Sequence, residues 1–124
     1  MEGLKREDFE KLQKLVFFKG QIVSDSMLPI LKIGERITVD VGNRELQRFD
    51  LIVFWREGKL ICHYLWAINQ RVEPILLQTR NTINGQKDYP IGFEDYLGKV
   101  LSHRLTNWDR IKIFLFLKFR GKRM

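Results

Sequence analysis

Two apolar runs set the architecture of this chain. Leu51 to Trp55 is uninterrupted, and Leu60 to Ile68 follows after Glu57-Gly58. Two such runs around a short turn signal predict a β-hairpin. In the second run Leu60, Cys62, Tyr64 and Trp66 fall on one face, and Ile61, His63, Leu65 and Ala67 on the other. Ile37, Val39 and Val41 alternate with Thr38 and Asp40, which predicts a half-buried strand before the turn at Gly42-Asn43. Pro74 opens a short strand through Leu77, Asn84-Gly85 marks a turn in the polar stretch Asn81 to Asp88, and Gly98 to Leu105 reads as a last core strand. The pattern is mainly β, a small barrel or folded sheet.

Both ends read differently. Residues 6–18 predict an amphipathic helix, with Phe9, Leu12, Leu15 and Val16 at spacings of three and four and Gly20 ending it. At the other end Asn107 is a candidate helix cap with Asp109 in the first turn. Read instead as a strand, Ile111, Ile113, Leu115, Leu117 and Phe119 would share a side; the cap signals favour the helix. At 124 residues the chain has room for one domain, here residues 1–106, followed by the tail 107–124.

The net charge of +7 is confined to that end. Residues 1–98 carry 14 basic and 14 acidic side chains; residues 99–124 carry eight basic and one acidic. The main body is therefore a poor nucleic-acid surface. The tail has three readings: packing on the domain, contact with a partner protein or nucleic acid, or contact with an anionic membrane, where each Lys or Arg contributes about 1 kcal/mol. No run approaches the roughly 20 apolar residues of a spanning helix, and Met1 to Glu10 lacks a secretory core. The expected location is cytoplasmic or peripheral at the membrane. One cysteine and two histidines offer neither a disulfide nor a zinc set, so neither metal nor cofactor is expected.

The most informative stretch is Ser24-Asp25-Ser26-Met27-Leu28-Pro29. A serine attacks only when a base removes its proton and donors meet the developing oxyanion. Two hydroxyls two residues apart, on an extended segment stiffened by Pro29, would point to the same side, one to attack and one to donate. His63 is the candidate base. The plainer readings are a turn serine at Ser26, a core histidine at His63 and a turn acid in Lys87-Asp88-Tyr89-Pro90. Cys62 should face away from His63 as a core thiol, and His103 is read as structural or exposed. Trp55, Trp66 and Phe54 are assigned to the core, and Asp25, Glu35 and Asp50 to turns and loops.

The chain resembles the signal peptidase I family, which shares its fold with self-cleaving repressor proteases, over roughly residues 22–100. Leu31-x-x-Gly34-Glu35 is similar to the family's Leu-x-x-Gly-Asp, and Phe49-Asp50-Leu51-Ile52-Val53-Phe54 to its Gly-Asp-hydrophobic-Val-Phe. Ile61-Cys62-His63-Tyr64 resembles the histidine type, with Tyr64 in place of arginine. Thr79-Arg80-Asn81-Thr82-Ile83-Asn84 and Asp88 are similar to Thr-Lys-Gly-Asp-x-Asn and a later Asp, and Gly98-Lys99-Val100 to the closing Gly-Lys-Val.

The resemblance implies a serine endopeptidase that cuts leader or signal peptides after small residues. Ser26 would be the nucleophile, His63 the general base and Asp88 the acid orienting it. Ser24 and the Ser26 N–H would form the oxyanion hole, with an extended substrate added at a strand edge. An imidazole base, ordinarily titrating near 6.5, implies activity rising through neutral pH. Asn81-Thr82 replaces the family's Gly-Asp. That replacement motivates two alternatives: an inactive peptide-binding module of the same fold, or a membrane-surface or nucleic-acid-binding protein acting through the tail. The expected membrane anchor is not read in the sequence, which leaves leader peptides met in the cytoplasm or docking through the tail.

Overall fold

A computed structural model describes residues 3–28, 30–71 and 73–122; for residue 114 and residues 116–122 it describes the backbone alone. Pro29 therefore lies outside the described residues, as do the side chains of Leu117, Phe119 and the basic residues from Lys118 onward.

The chain is mainly β. Six strands, β1 (Phe17–Gln21), β2 (Arg36–Val41), β3 (Leu51–Arg56), β4 (Lys59–Asn69), β5 (Leu76–Arg80) and β6 (Tyr96–Val100), form one antiparallel sheet in the order β1-β2-β6-β3-β4-β5. Helix α1 (Arg6–Leu12) precedes the sheet and α2 (Asn107–Lys122) follows it. The hairpin turn between β3 and β4 is Glu57-Gly58, with φ values of 51° and 78°. Positive φ at both central residues matches the right-handed twist of the strands they join.

The centre of the sheet is covered on both faces, which explains the unbroken apolar run in β3. Leu51 and Val53 enter one core with Phe9, Met27, Val39, Tyr64 and Leu97; Ile52 and Phe54 enter another with Leu65, Leu77 and Ile91. Along β4 the alternation holds as read from the sequence. Leu60, Cys62, Tyr64 and Trp66 serve the first core and Ile61 and Leu65 the second. A bulge between Leu65 and Ala67 then changes the register, and Ile68 rather than Ala67 packs into the second core. Phe54 is fully buried, whereas Trp55 and Trp66 are half-buried at the margin of the first core.

Four boundaries differ from the sequence reading. Helix α1 ends at Leu12, where Lys14 N–H and Leu15 N–H bond three residues back and tighten the turn. Only Phe9 is fully buried, stacking on Trp55; Leu12 is half-buried, and Leu15 and Val16 are exposed. Gly20 does not terminate a helix; it lies in β1, opposite Ile37. The edge of β2 offered a backbone partner, and the aromatic pair Phe17-Phe18 took it as a strand. Strand β5 starts at Leu76, not at Pro74. Strand β6 ends at Val100, although Leu105 returns to the core.

At the C-terminus the helical reading holds, with its cap one residue earlier than Asn107. Thr106 Oγ1 accepts from Asp109 N–H at 3.1 Å, and the Asp109 carboxylate accepts from Thr106 N–H at 2.9 Å, a reciprocal capping box. Ile113 packs into the first core and Arg110 lies over the Phe49 ring.

Gly98 sits where β6 passes closest to β2. A Cβ there would lie 2.3 Å from Asp40 O and 2.8 Å from a Val39 methyl. The obstacle is backbone, so the strands themselves must part. Gly98→Ala is expected to cost about 3 kcal/mol and to lower the melting temperature by about 10 °C. A melting curve by circular dichroism that overlays wild type would refute the close-approach argument.

Candidate active site

Three segments meet at His63. Strand β4 carries the imidazole, its ring set edge-on to Phe54 at 6.0 Å between centroids. The side chain is 9% exposed, so its two nitrogens are met mainly by protein.

The loop after β5 supplies the acid. Asn81 Oδ1 accepts from Asn84 N–H at 3.0 Å and Asn84 Oδ1 from Gln86 N–H at 2.8 Å, closing a turn in which Gly85 takes φ 70°. The chain therefore doubles back along β5. Arg80 pairs with Lys87 and Leu77 with Ile91, and Asp88 N–H donates to Thr79 O at 2.9 Å. That register sets the Asp88 carboxylate 2.5 Å from His63 Nδ1. The fully buried Thr79 donates its hydroxyl to the same Oδ2 at 2.6 Å, and Gln78 Nε2 donates to Asp88 O at 2.7 Å.

The Ser26 segment is a series of turns rather than the extended stretch expected. Leu28 N–H bonds Asp25 O, and Ile30 and Leu31 N–H both bond Met27 O. Met27 is driven into the first core and pins the turn beneath Ser26. Thr82 N–H and Ile83 N–H both donate to Ser26 O at 3.1 Å, while Thr82 Oγ1 donates to Leu28 O at 2.9 Å. So held, Ser26 Oγ lies 3.1 Å from His63 Nε2. Ser24 Oγ is 3.0 Å from Ser26 Oγ and accepts from Ser26 N–H at 3.4 Å. The two hydroxyls share a side, through a turn and not through strand alternation.

The four residues singled out from sequence, Ser24, Ser26, His63 and Asp88, thus form one hydrogen-bonded chain. Asp88 accepting the Nδ1 proton leaves Nε2 unprotonated and facing the serine, the arrangement in which an imidazole can take a hydroxyl proton. The acid beside His63 is Asp88, and Thr82 holds the serine turn. Thr79 and Thr82 were not recognised from the sequence, because nothing local distinguishes a strand threonine whose hydroxyl meets a carboxylate across a turn.

Burial works against the charge on Asp88. The hydrogen bonds from His63 and Thr79 and the positive charges of His63 and Arg56 outweigh it, and the carboxyl lies below its ordinary 3.8. A depressed carboxyl pKa stabilises the fold above the unfolded value, and that contribution disappears as pH falls through the folded value. Asp88→Asn should therefore be less stable than wild type at pH 7, with the gap closing below about pH 4. Urea unfolding at a series of pH values measures it, and a gap that widened toward acid would have the wrong sign.

Cys62 belongs to the opposite face from His63, and burial pushes its thiol up to about 12, so it stays protonated at neutral pH. His103 is not without a partner: its Nε2 meets Glu35 at 2.9 Å and its Nδ1 meets Ser102 Oγ at 2.8 Å. Glu35 also accepts from Lys32 N–H, and Asp50 accepts from Gln47 N–H and pairs with Lys99.

No family model, curated protein or solved structure matches this chain. The chemistry of the site rests on its own geometry.

A groove of about 820 Å³ opens beside Ser26 and His63, walled by Phe18, Ile22, Met27 and Leu60. Strand β5 pairs with β4 only from Tyr64 onward, so among the described residues the backbone of Lys59 to His63 pairs with β3 alone. Their other edge borders the groove, across from residues 20–24.

Proposed function

We propose that this chain is a serine endopeptidase of the signal-peptidase type, cutting leader or signal peptides after small residues such as alanine. The observation that carries the reading is the unbroken line from Asp88 Oδ2 through His63 to Ser26 Oγ, with contacts of 2.5 Å and 3.1 Å, opening on a groove that has a free strand edge.

An extended peptide adds to the Lys59–His63 edge, its carbonyl above Ser26. Ser26 Oγ attacks the carbonyl carbon as His63 Nε2 takes the hydroxyl proton. The oxyanion is met by Ser24 O–H and Ser26 N–H, which bond each other until substrate arrives. Collapse breaks the C–N bond, and His63 returns its proton to the leaving amine. Water, deprotonated by His63, then hydrolyses the Ser26 ester and releases the acid product. Asp88 stays ionised and holds the imidazole in its productive tautomer.

The test is covalent capture. A fluorophosphonate incubated with the full chain should add one phosphonyl group, mapped by mass spectrometry to Ser26 and absent from Ser26→Ala. A leader-like peptide with alanine before the scissile bond should be cut by the unmodified protein only. Labelling elsewhere, or none together with an intact peptide, would leave the binding-module alternative.

A further inference from the structure

Helix α2 is apolar on two opposite sides. Ile113 is 9% exposed and sits in the core, whereas Trp108, Ile111 and Leu115 are 62%, 48% and 48% exposed. Those three are spaced three and four apart, so they form one stripe along the helix side opposite Ile113. A helix that needed only to pack on its own domain would carry polar residues there.

The charge around the stripe is of one sign. Lys112 lies over the Trp108 ring at 5.5 Å, and the same three-four spacing continues along the sequence to Lys118 and Lys122. Asp109, the single acid of residues 99–124, is occupied in the capping box with Thr106. Among the described residues no helix is long and apolar enough to cross a membrane.

We infer that α2 docks this protein on an anionic lipid bilayer, the Trp108–Ile111–Leu115 stripe entering the headgroup boundary, with Lys112 beside it and the lysines that follow at the same spacing in the sequence supplying the positive charge. Aromatic and aliphatic residues on one side of a helix with basic residues about them match that interface. A nucleic-acid backbone would satisfy the charges but leave isoleucine and leucine uncovered. This assignment is independent of the peptidase reading, since none of these residues touches Ser26, His63 or Asp88.

The full chain should sediment with mixed phosphatidylglycerol–phosphatidylcholine vesicles, remain in solution with phosphatidylcholine alone, and be released by added salt. Ile111→Gln with Leu115→Gln should weaken vesicle binding about tenfold or more, with the circular dichroism spectrum unchanged. Tryptophan emission should shift to the blue on anionic vesicles in wild type but not in Trp108→Phe, which retains binding; this comparison decides the matter even if the double variant fails to fold. Vesicle binding undiminished in a folded double variant, or a blue shift persisting in Trp108→Phe, would overturn the assignment. So would a wild-type chain that stays in the supernatant yet retards duplex DNA, which would make the tail a nucleic-acid contact.

Discussion

Ser26→Ala is expected to lower kcat/KM for a leader-like peptide by about 10⁶-fold, to the limit of detection, because in the proposed mechanism loss of the Ser26 hydroxyl removes the covalent route altogether. The fold should not notice. Among the described residues the Ser26 hydroxyl meets only His63 and Ser24, and the turn is held by backbone groups that alanine retains: Ser26 O accepts from Thr82 and Ile83, and Met27 stays in the core. The informative pair of measurements is therefore cleavage rate and melting temperature on one preparation. A variant that melts like wild type and still cleaves at the wild-type rate would remove Ser26 from the chemistry. A variant that no longer melts cooperatively would mean that the hydroxyl, not the backbone, holds the turn.

Asp88→Asn should be nearly as damaging, by about 10⁴-fold in kcat, for a different reason. The carboxylate accepts from both His63 Nδ1 and Thr79 Oγ1. An amide at this place can accept only through its oxygen. That oxygen can stand where Oδ2 now meets both Thr79 and His63, but it carries no charge to stabilise the imidazolium formed when His63 takes the serine proton. Thr79→Val separates orientation from charge. It removes one of the two described donors to the Asp88 carboxylate and leaves the contact with His63, so it should slow cleavage far less than the amide does. If Asp88→Asn cleaved within a few-fold of wild type, the acid would be a structural turn residue and the site a Ser26–His63 dyad.

The departure at Asn81-Thr82 bears on the inactive alternative. An aspartate missing beside the imidazole would leave the base without an orienting partner. In this fold the Thr82 position faces the serine turn, where its hydroxyl bonds Leu28 O. A threonine there anchors the turn, and the imidazole has its carboxylate from Asp88.

Much of the sheet was legible in one dimension because its signals are local. Alternation in β2, the paired apolar runs of β3 and β4, and the turn dipeptides Glu57-Gly58 and Asn84-Gly85 each depend on residues within a few positions of one another. Strand β1 was not legible: a 3.6-residue period runs through Phe9, Leu12, Leu15 and Val16, and only the unpaired edge of β2 draws residues 17–21 out of the helical pattern. The position of Ser26 and His63 in the sequence named the chemistry worth looking for. Whether an alcohol comes within 3.1 Å of an imidazole 37 positions along the chain is a matter of packing. It was decided by Met27 entering the core, by the β5 loop clamping Ser26 O, and by the hairpin register that returns Asp88 to Thr79. Those contacts join residues far apart along the chain, and their geometry exists only once the sheet has formed.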